Sequence, residues 1–276
     1  MLLFTGNEVL VELGYAKLST VFAPREIVNW MICAGNSEVI HEKAYSLFTE
    51  TIGLLPTIYA DFLSVNVMKT KTQYINNAKV KNYEEYKNMG LTMVELDREY
   101  RRDIAKQLAV YGGGTENVSL FAQFAMLLSY QFQNKYKGLC TIVEYSIRDE
   151  FIHHKGNSHV FREFIKENPD IWDDSLKFEI YEAFREMVAY EEALIDYLNP
   201  PHMSNSECKQ YVRFQADNAL LELGMKRNFN VTKNPFPFME EVTSTILTDF
   251  FSGRVTSYSR VLHGDRDELK KRIQNS

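Results

Sequence analysis

The chain has 276 residues, 45% of them apolar and 13% aromatic, enough to bury a large core in one large domain or two small ones. Its 31 basic and 37 acidic side chains leave a net charge of -6, which argues against a standing affinity for phosphate backbones or anionic lipid, so nucleic acid is not expected as a partner. Three well-separated cysteines, Cys33, Cys140 and Cys208, fit free thiols in a reducing cytoplasm; Met1–Phe4 is too short to open a secretory leader, and no stretch approaches the roughly 18 apolar residues of a membrane span.

Taken in chain order, apolar residues recur at three- and four-residue spacing, and strict alternation over a strand length is hard to find. The chain therefore reads as all-α. Ala23-Pro24, Gly53 to Pro56, Gly112-Gly113-Gly114, Gly138, Asn168-Pro169, Asn199-Pro200-Pro201 and Asn234 to Pro237 punctuate it and mark helix ends. Long helices are predicted over 24–52, 116–136, 139–167, 174–198 and 207–227, with a more solvated helix or helix pair over the polar run 69–108. No linker, repeat or low-complexity tract divides them, so residues 1–276 read as one helical bundle.

Two glutamates are each followed by a histidine three residues later: Glu38-Val39-Ile40-His41 and Glu150-Phe151-Ile152-His153. Three residues along a helix rotate a side chain by about 60° from its starting direction, so each pair offers a carboxylate and an imidazole on one face. A single Glu-x-x-His is usually a solvated surface pair. Two copies set among apolar neighbours are more informative, because an unpaired carboxylate there is costly and a metal ion compensates it. Two such helices, each aided by a glutamate from another helix, make a ferritin-like dinuclear site. Glu116, which follows the glycine run and opens an almost uncharged segment, and Glu8, with Glu12 one turn further as its alternative, are the candidates for the other two carboxylates. For Glu116 the simpler reading is a first-turn acid that favours the helix dipole.

Beyond spacing, the segments Gly113 to Phe121, Asn134 to Gly138 and Ser146 to His153, together with Glu38 to His41 followed by Tyr45, resemble the signature of the small subunit of class I ribonucleotide reductase. Asn234-Pro235-Phe236-Pro237-Phe238 and Phe250-Phe251-Ser252-Gly253-Arg254 are similar to the late helices of that family, in its bacterial and phage-like members above all. The likeness runs from about Phe4 to Tyr258.

The resemblance implies a ferritin-like bundle holding two iron ions per protomer, with manganese as the alternative, on Glu8, Glu38, His41, Glu116, Glu150 and His153. Glu8 stands where many members have aspartate, and His154 is an extra histidine that helical geometry alone would also allow. The resemblance further implies that the iron centre activates oxygen to make a tyrosyl radical on Tyr45, one turn after His41. That radical serves a separate large catalytic subunit in reducing ribonucleotides to deoxyribonucleotides. Leu120 and Phe124, on successive turns beyond Glu116, are the expected wall of the radical pocket. Asp149 matches a position linking His41 to the transfer route; without the resemblance it reads as a surface aspartate paired with Arg148 or Lys155. A homodimer in the cytoplasm is expected, with no membrane partner. Relative to the family the chain looks shortened at both ends, lacking the helices before the first ligand, a transfer-route tryptophan and the acidic, tyrosine-bearing tail. A diiron oxygenase, or an iron-binding bundle without radical chemistry, would use similar ligands, and Tyr45 argues against the latter.

Overall fold

The computed structural model describes residues 11–54, 57–58, 61, 64–70, 85–86 and 88–243. Every regular element among them is helical. By packing, the chain divides into a large unit, Met1–Phe236, and a short one, Pro237–Ser276. The large unit carries all the elements that follow.

A helical segment over residues 11–18 precedes α1, Arg25–Thr51, whose 27 residues follow the extended Pro24 and end before Gly53. Gly53 sits at φ 73°, a left-handed conformation that only glycine adopts cheaply, and so closes the helix. Helix α2, Met93–Gln107, starts on a reciprocal cap in which Thr92 and Glu95 satisfy each other's backbone N–H groups. It is less solvated than its composition predicts. Arg102, Asp103, Ile104, Ala105 and Gln107 are buried at its inner end, where Arg102 reaches Asp173 and Glu179.

The largest departure from the sequence reading is the glycine run. Instead of ending a helix, Gly112-Gly113-Gly114 lies within a π-helical segment, Leu108–Ser119, that continues directly from α2 into α3, Leu120–Leu128. All twelve of its residues are buried, and it packs against α2 and against three later helices, Lys137–Glu167, Asp174–Leu198 and Asn205–Glu222. Glycine is a poor helix former by about 1 kcal/mol relative to alanine. Here the missing Cβ atoms are what allow the helices to approach: a methyl on Gly112 would overlap the Asn157 side chain, and one on Gly114 would overlap Met187. Tertiary packing thus outweighs the local preference.

The remaining helices follow the punctuation. Helix α4, Lys137–Glu167, is the longest described, α5 is Asp174–Leu198, and α6 is Asn205–Glu222. Asp173 caps α5 by accepting from the Leu176 N–H, and Asn199 ends it at φ 43° before the two prolines. Helix α4 lies against both α1 and the π segment. This brings the two Glu-x-x-His helices together at the glycine-rich stretch. No helix among the described residues is long and apolar enough to cross a membrane.

Candidate metal centre

On α1, Glu38, His41 and Tyr45 are buried on the face turned to α4, while Ile40 and Leu47 lie outside. On α4, Glu150 and His153 are buried in the same way. Ligand atoms of Glu38, Glu116, Glu150 and His153 all lie within 4.8 Å of one another. His41 joins them. Its Nδ1 is 3.2 Å from both Glu38 Oε2 and Glu150 Oε1. His153 Nδ1 is 2.9 Å from Glu38 Oε1 and 3.4 Å from Glu150 Oε2. Five of the six sequence-predicted ligands therefore form one buried cluster. The sixth, Glu8, lies outside the described residues, and its alternative Glu12 is half-buried.

Glu116 reaches the cluster from inside the π segment, not from the first turn of a helix as the sequence suggested. His154, the neighbouring histidine, turns away. Its Nδ1 is 3.0 Å from Glu222 on α6, and its ring packs edge-on to Phe121 and Phe151.

Three carboxylates and two imidazoles in a space closed to water form an unstable charge set unless cations neutralise it. Burial, then the neighbouring charge of Glu150, hold the Glu116 carboxyl well above the ordinary carboxylate range. Burial works against a charge on His41 and His153. Contacts with Asp149, Glu150 and Glu38 for the first, and with Glu150 and Glu38 for the second, outweigh it and raise both imidazoles well above their usual value. Both oxygens of Glu150 are buried and poorly aligned for hydrogen bonding, although they face imidazole nitrogens at 3.2 and 3.4 Å. Hard carboxylate oxygens mixed with imidazole nitrogens are the donor set that iron, manganese or zinc accepts, so these residues fit a metal centre.

The Ribonucleotide reductase, small chain family matches residues 1–235. The chain belongs to that family. A protein of Invertebrate iridescent virus 6 named as a ribonucleoside-diphosphate reductase small subunit is 30% identical over 289 residues, covering 94% of this chain and 79% of the viral one. The ribonucleoside-diphosphate reductase subunit beta of Chlamydia pneumoniae is 27% identical, covering 80% of this chain and 63% of its own. Among solved structures, the ribonucleotide reductase R2 subunit from Clostridium botulinum superposes with a TM-score of 0.74 at 17% identity, over 87% of this chain and 73% of that one, which shows the shared fold.

Within this small-chain fold, Tyr45 is fully buried and its hydroxyl donates to Ser146 Oγ at 2.6 Å. Ser146 lies one turn before Glu150 on α4, so the phenol sits one turn from a member of the cluster on each of two helices. Asp149 does not pair with Arg148 or Lys155; its Oδ2 accepts from His41 Nε2 at 3.0 Å, while Lys155 pairs with Glu222. Leu120 and Phe124 are both wholly buried on α3.

The structure adds three residues that the sequence reading missed. Tyr15 donates to Glu116 Oε1 at 2.5 Å, and Asn157 Nδ2 donates both to the Tyr15 hydroxyl at 2.6 Å and to Glu116 Oε2 at 3.1 Å. Trp30 packs edge-on to Tyr15 and to His153. Burial, then the charge of Glu116, raise the Tyr15 phenol well above its ordinary value and keep it a donor. A signal for Asn157 was available, since it follows His153 by four residues and so shares its face. Tyr15 had none, because its partner lies 101 residues away.

Proposed function

We propose that this chain is the radical-generating small subunit of a ribonucleoside-diphosphate reductase, holding two iron ions on Glu38, His41, Glu116, Glu150, His153 and Glu8, with manganese as the alternative metal. The observation that carries the reading is the buried five-residue cluster with Tyr45 one turn beyond it on the same helix. Bound iron would supply the activation of dioxygen and a one-electron oxidation of the phenol.

The protein's own contribution begins with placement. Glu38 and His41 from one helix, Glu150 and His153 from another, and Glu116 from the π segment bring their donor atoms to one buried place. Tyr45 is held in one orientation by Ser146, and Leu120 and Phe124 are assigned to the apolar wall that keeps water from its phenoxyl oxygen. Asp149 has a half-exposed carboxylate on a buried imidazole, which makes His41–Asp149 the contact through which the interior meets the surface. That contact is the expected exit for an electron and a proton toward a large catalytic subunit, where ribonucleotides become deoxyribonucleotides.

Residues 1–276 are read as a single ferritin-like domain that pairs with a second copy in the cytoplasm and binds neither nucleic acid nor membrane. The outward face of α1 supports the pairing, since Ile32, Ile40 and Leu47 are more than half exposed there. A diiron oxygenase would use the same ligands, but nothing in the site favours it over the reductase role. The test is to reconstitute the protein anaerobically with ferrous iron. About two equivalents should be retained per protomer on a dimer by light scattering, and Glu116→Ala with Glu150→Ala should abolish retention. Iron near zero, or iron that survives both substitutions, would remove the basis of this reading.

A further inference from the structure

Glu116 differs from the other carboxylates of the cluster in what holds it. Glu38 and Glu150 face the imidazoles of His41 and His153, groups that are themselves ligands in the proposed reading. Glu116 is hydrogen-bonded on both oxygens by two neutral donors that are not ligands: Oε1 by the Tyr15 hydroxyl and Oε2 by the Asn157 amide, which also donates to Tyr15. We infer that Tyr15 and Asn157 form a clamp that positions Glu116 for one of the two metal ions and stays in place when that ion binds.

The clamp is assembled from two elements and needs space cleared on two others. Tyr15 comes from the segment 11–18 and Asn157 from α4. A Cβ on Gly35 of α1 would sit 3.3 Å from Tyr15 Cβ, and a Cβ on Gly112 of the π segment would overlap Asn157. Glycine at both places lets the two donors close on a carboxylate from a third direction. Each carboxylate oxygen has two lone pairs, so one hydrogen bond on each leaves capacity for a cation on either. A buried phenol that only needed satisfying could do so with one partner; here three polar groups form a closed triangle, which fixes the carboxylate's direction as well as its burial. Tyr15 and Asn157 are therefore positioning residues for the metal centre, an inference that rests on the two-metal reading.

Hydrogen-bond partners of metal ligands typically change metal affinity by about tenfold to a hundredfold when removed. The test is an anaerobic Mn(II) titration in which free Mn(II) is followed by its electron paramagnetic resonance signal, so that binding is read without turnover. The wild type should bind two ions. Tyr15→Phe keeps the ring against Trp30 and His153 and removes the hydroxyl alone. It should weaken one of the two ions by about tenfold or more and leave the other unchanged, with the helical circular dichroism intact. Asn157→Ala should weaken the same ion. Two ions bound by Tyr15→Phe as tightly as by the wild type would overturn the inference, and so would equal weakening of both accompanied by loss of helicity, which would make Tyr15 a packing residue. A wild type that holds fewer than two ions would instead defeat the two-metal reading, and the clamp with it.

Discussion

Asp173 joins three demands in one side chain. It accepts from the Leu176 N–H at the start of α5 and from Arg102 and Arg98 on α2. The backbone N–H of Leu176 and then the Arg102 guanidinium, against a burial penalty, hold its carboxyl well below the usual carboxylate range. A carboxyl whose pKa falls on folding contributes stability that is complete above its unfolded value of about 4 and is lost as the pH drops below it. Asp173→Asn retains a capping oxygen and removes the charge, so it should cost about 1 kcal/mol at neutral pH, since the side chain is partly exposed and screened. Chemical unfolding should show the wild type losing more stability than the variant between about pH 5 and about pH 3. Parallel losses would mean that the charge on Asp173 contributes nothing.

The same scale explains which residues of the centre were legible beforehand. Glu38–His41 and Glu150–His153 announce themselves because their spacing is a property of one helix, and one helix can be read from one stretch of sequence. Which of His153 and His154 faces inward was not settled by local geometry. The answer depends on Glu222 of α6, 68 residues from His154, which draws that ring aside. Tyr15 belongs to the same class of hidden residue: an aromatic at helical spacing normally reads as core, and only the packing of two distant elements shows that its hydroxyl meets a carboxylate.

At the scale of elements, the π segment decides the architecture of the site. The chain from Met93 to Leu128 runs helically without a break, but its middle changes to i→i+5 pairing around three glycines. Sequence reasoning took those glycines as a stop because glycine lowers helix propensity, and that rule holds where the surroundings are open. Gly138, in the first turn of α4, has nothing near a hypothetical Cβ, whereas Gly112 has Asn157. The two should answer the same substitution with opposite signs. Gly138→Ala should be neutral or stabilising by up to about 1 kcal/mol from propensity alone. Gly112→Ala should destabilise by about 2 kcal/mol through overpacking, because α4 must give way. Thermal unfolding of the two variants checks this, and a Gly112→Ala protein as stable as the wild type would show that the close approach of α4 is not required.

At the scale of the molecule, the all-α class and most limits of the described long helices followed from periodicity and from the Pro, Gly and Asn punctuation. What did not follow was how the elements are threaded around the centre. The inner end of α2 was expected in solvent because of its charges, yet Arg102 is buried with its guanidinium paired to Asp173 and Glu179, so its polarity serves a helix-to-helix tie. The result is a bundle in which the proposed metal donors come from α1, α4 and the π segment, with Tyr45 buried one turn beyond His41 and the partly exposed Asp149 on the His41 imidazole. Electron paramagnetic resonance of the ferrous protein after exposure to oxygen tests this account most directly. A tyrosyl signal should appear, and Tyr45→Phe should abolish it while two irons still assemble, because the phenol, whose hydroxyl donates to Ser146, is not among the proposed ligands. A wild type that binds two irons and consumes oxygen but gives no radical, or a signal unchanged in Tyr45→Phe, would contradict it.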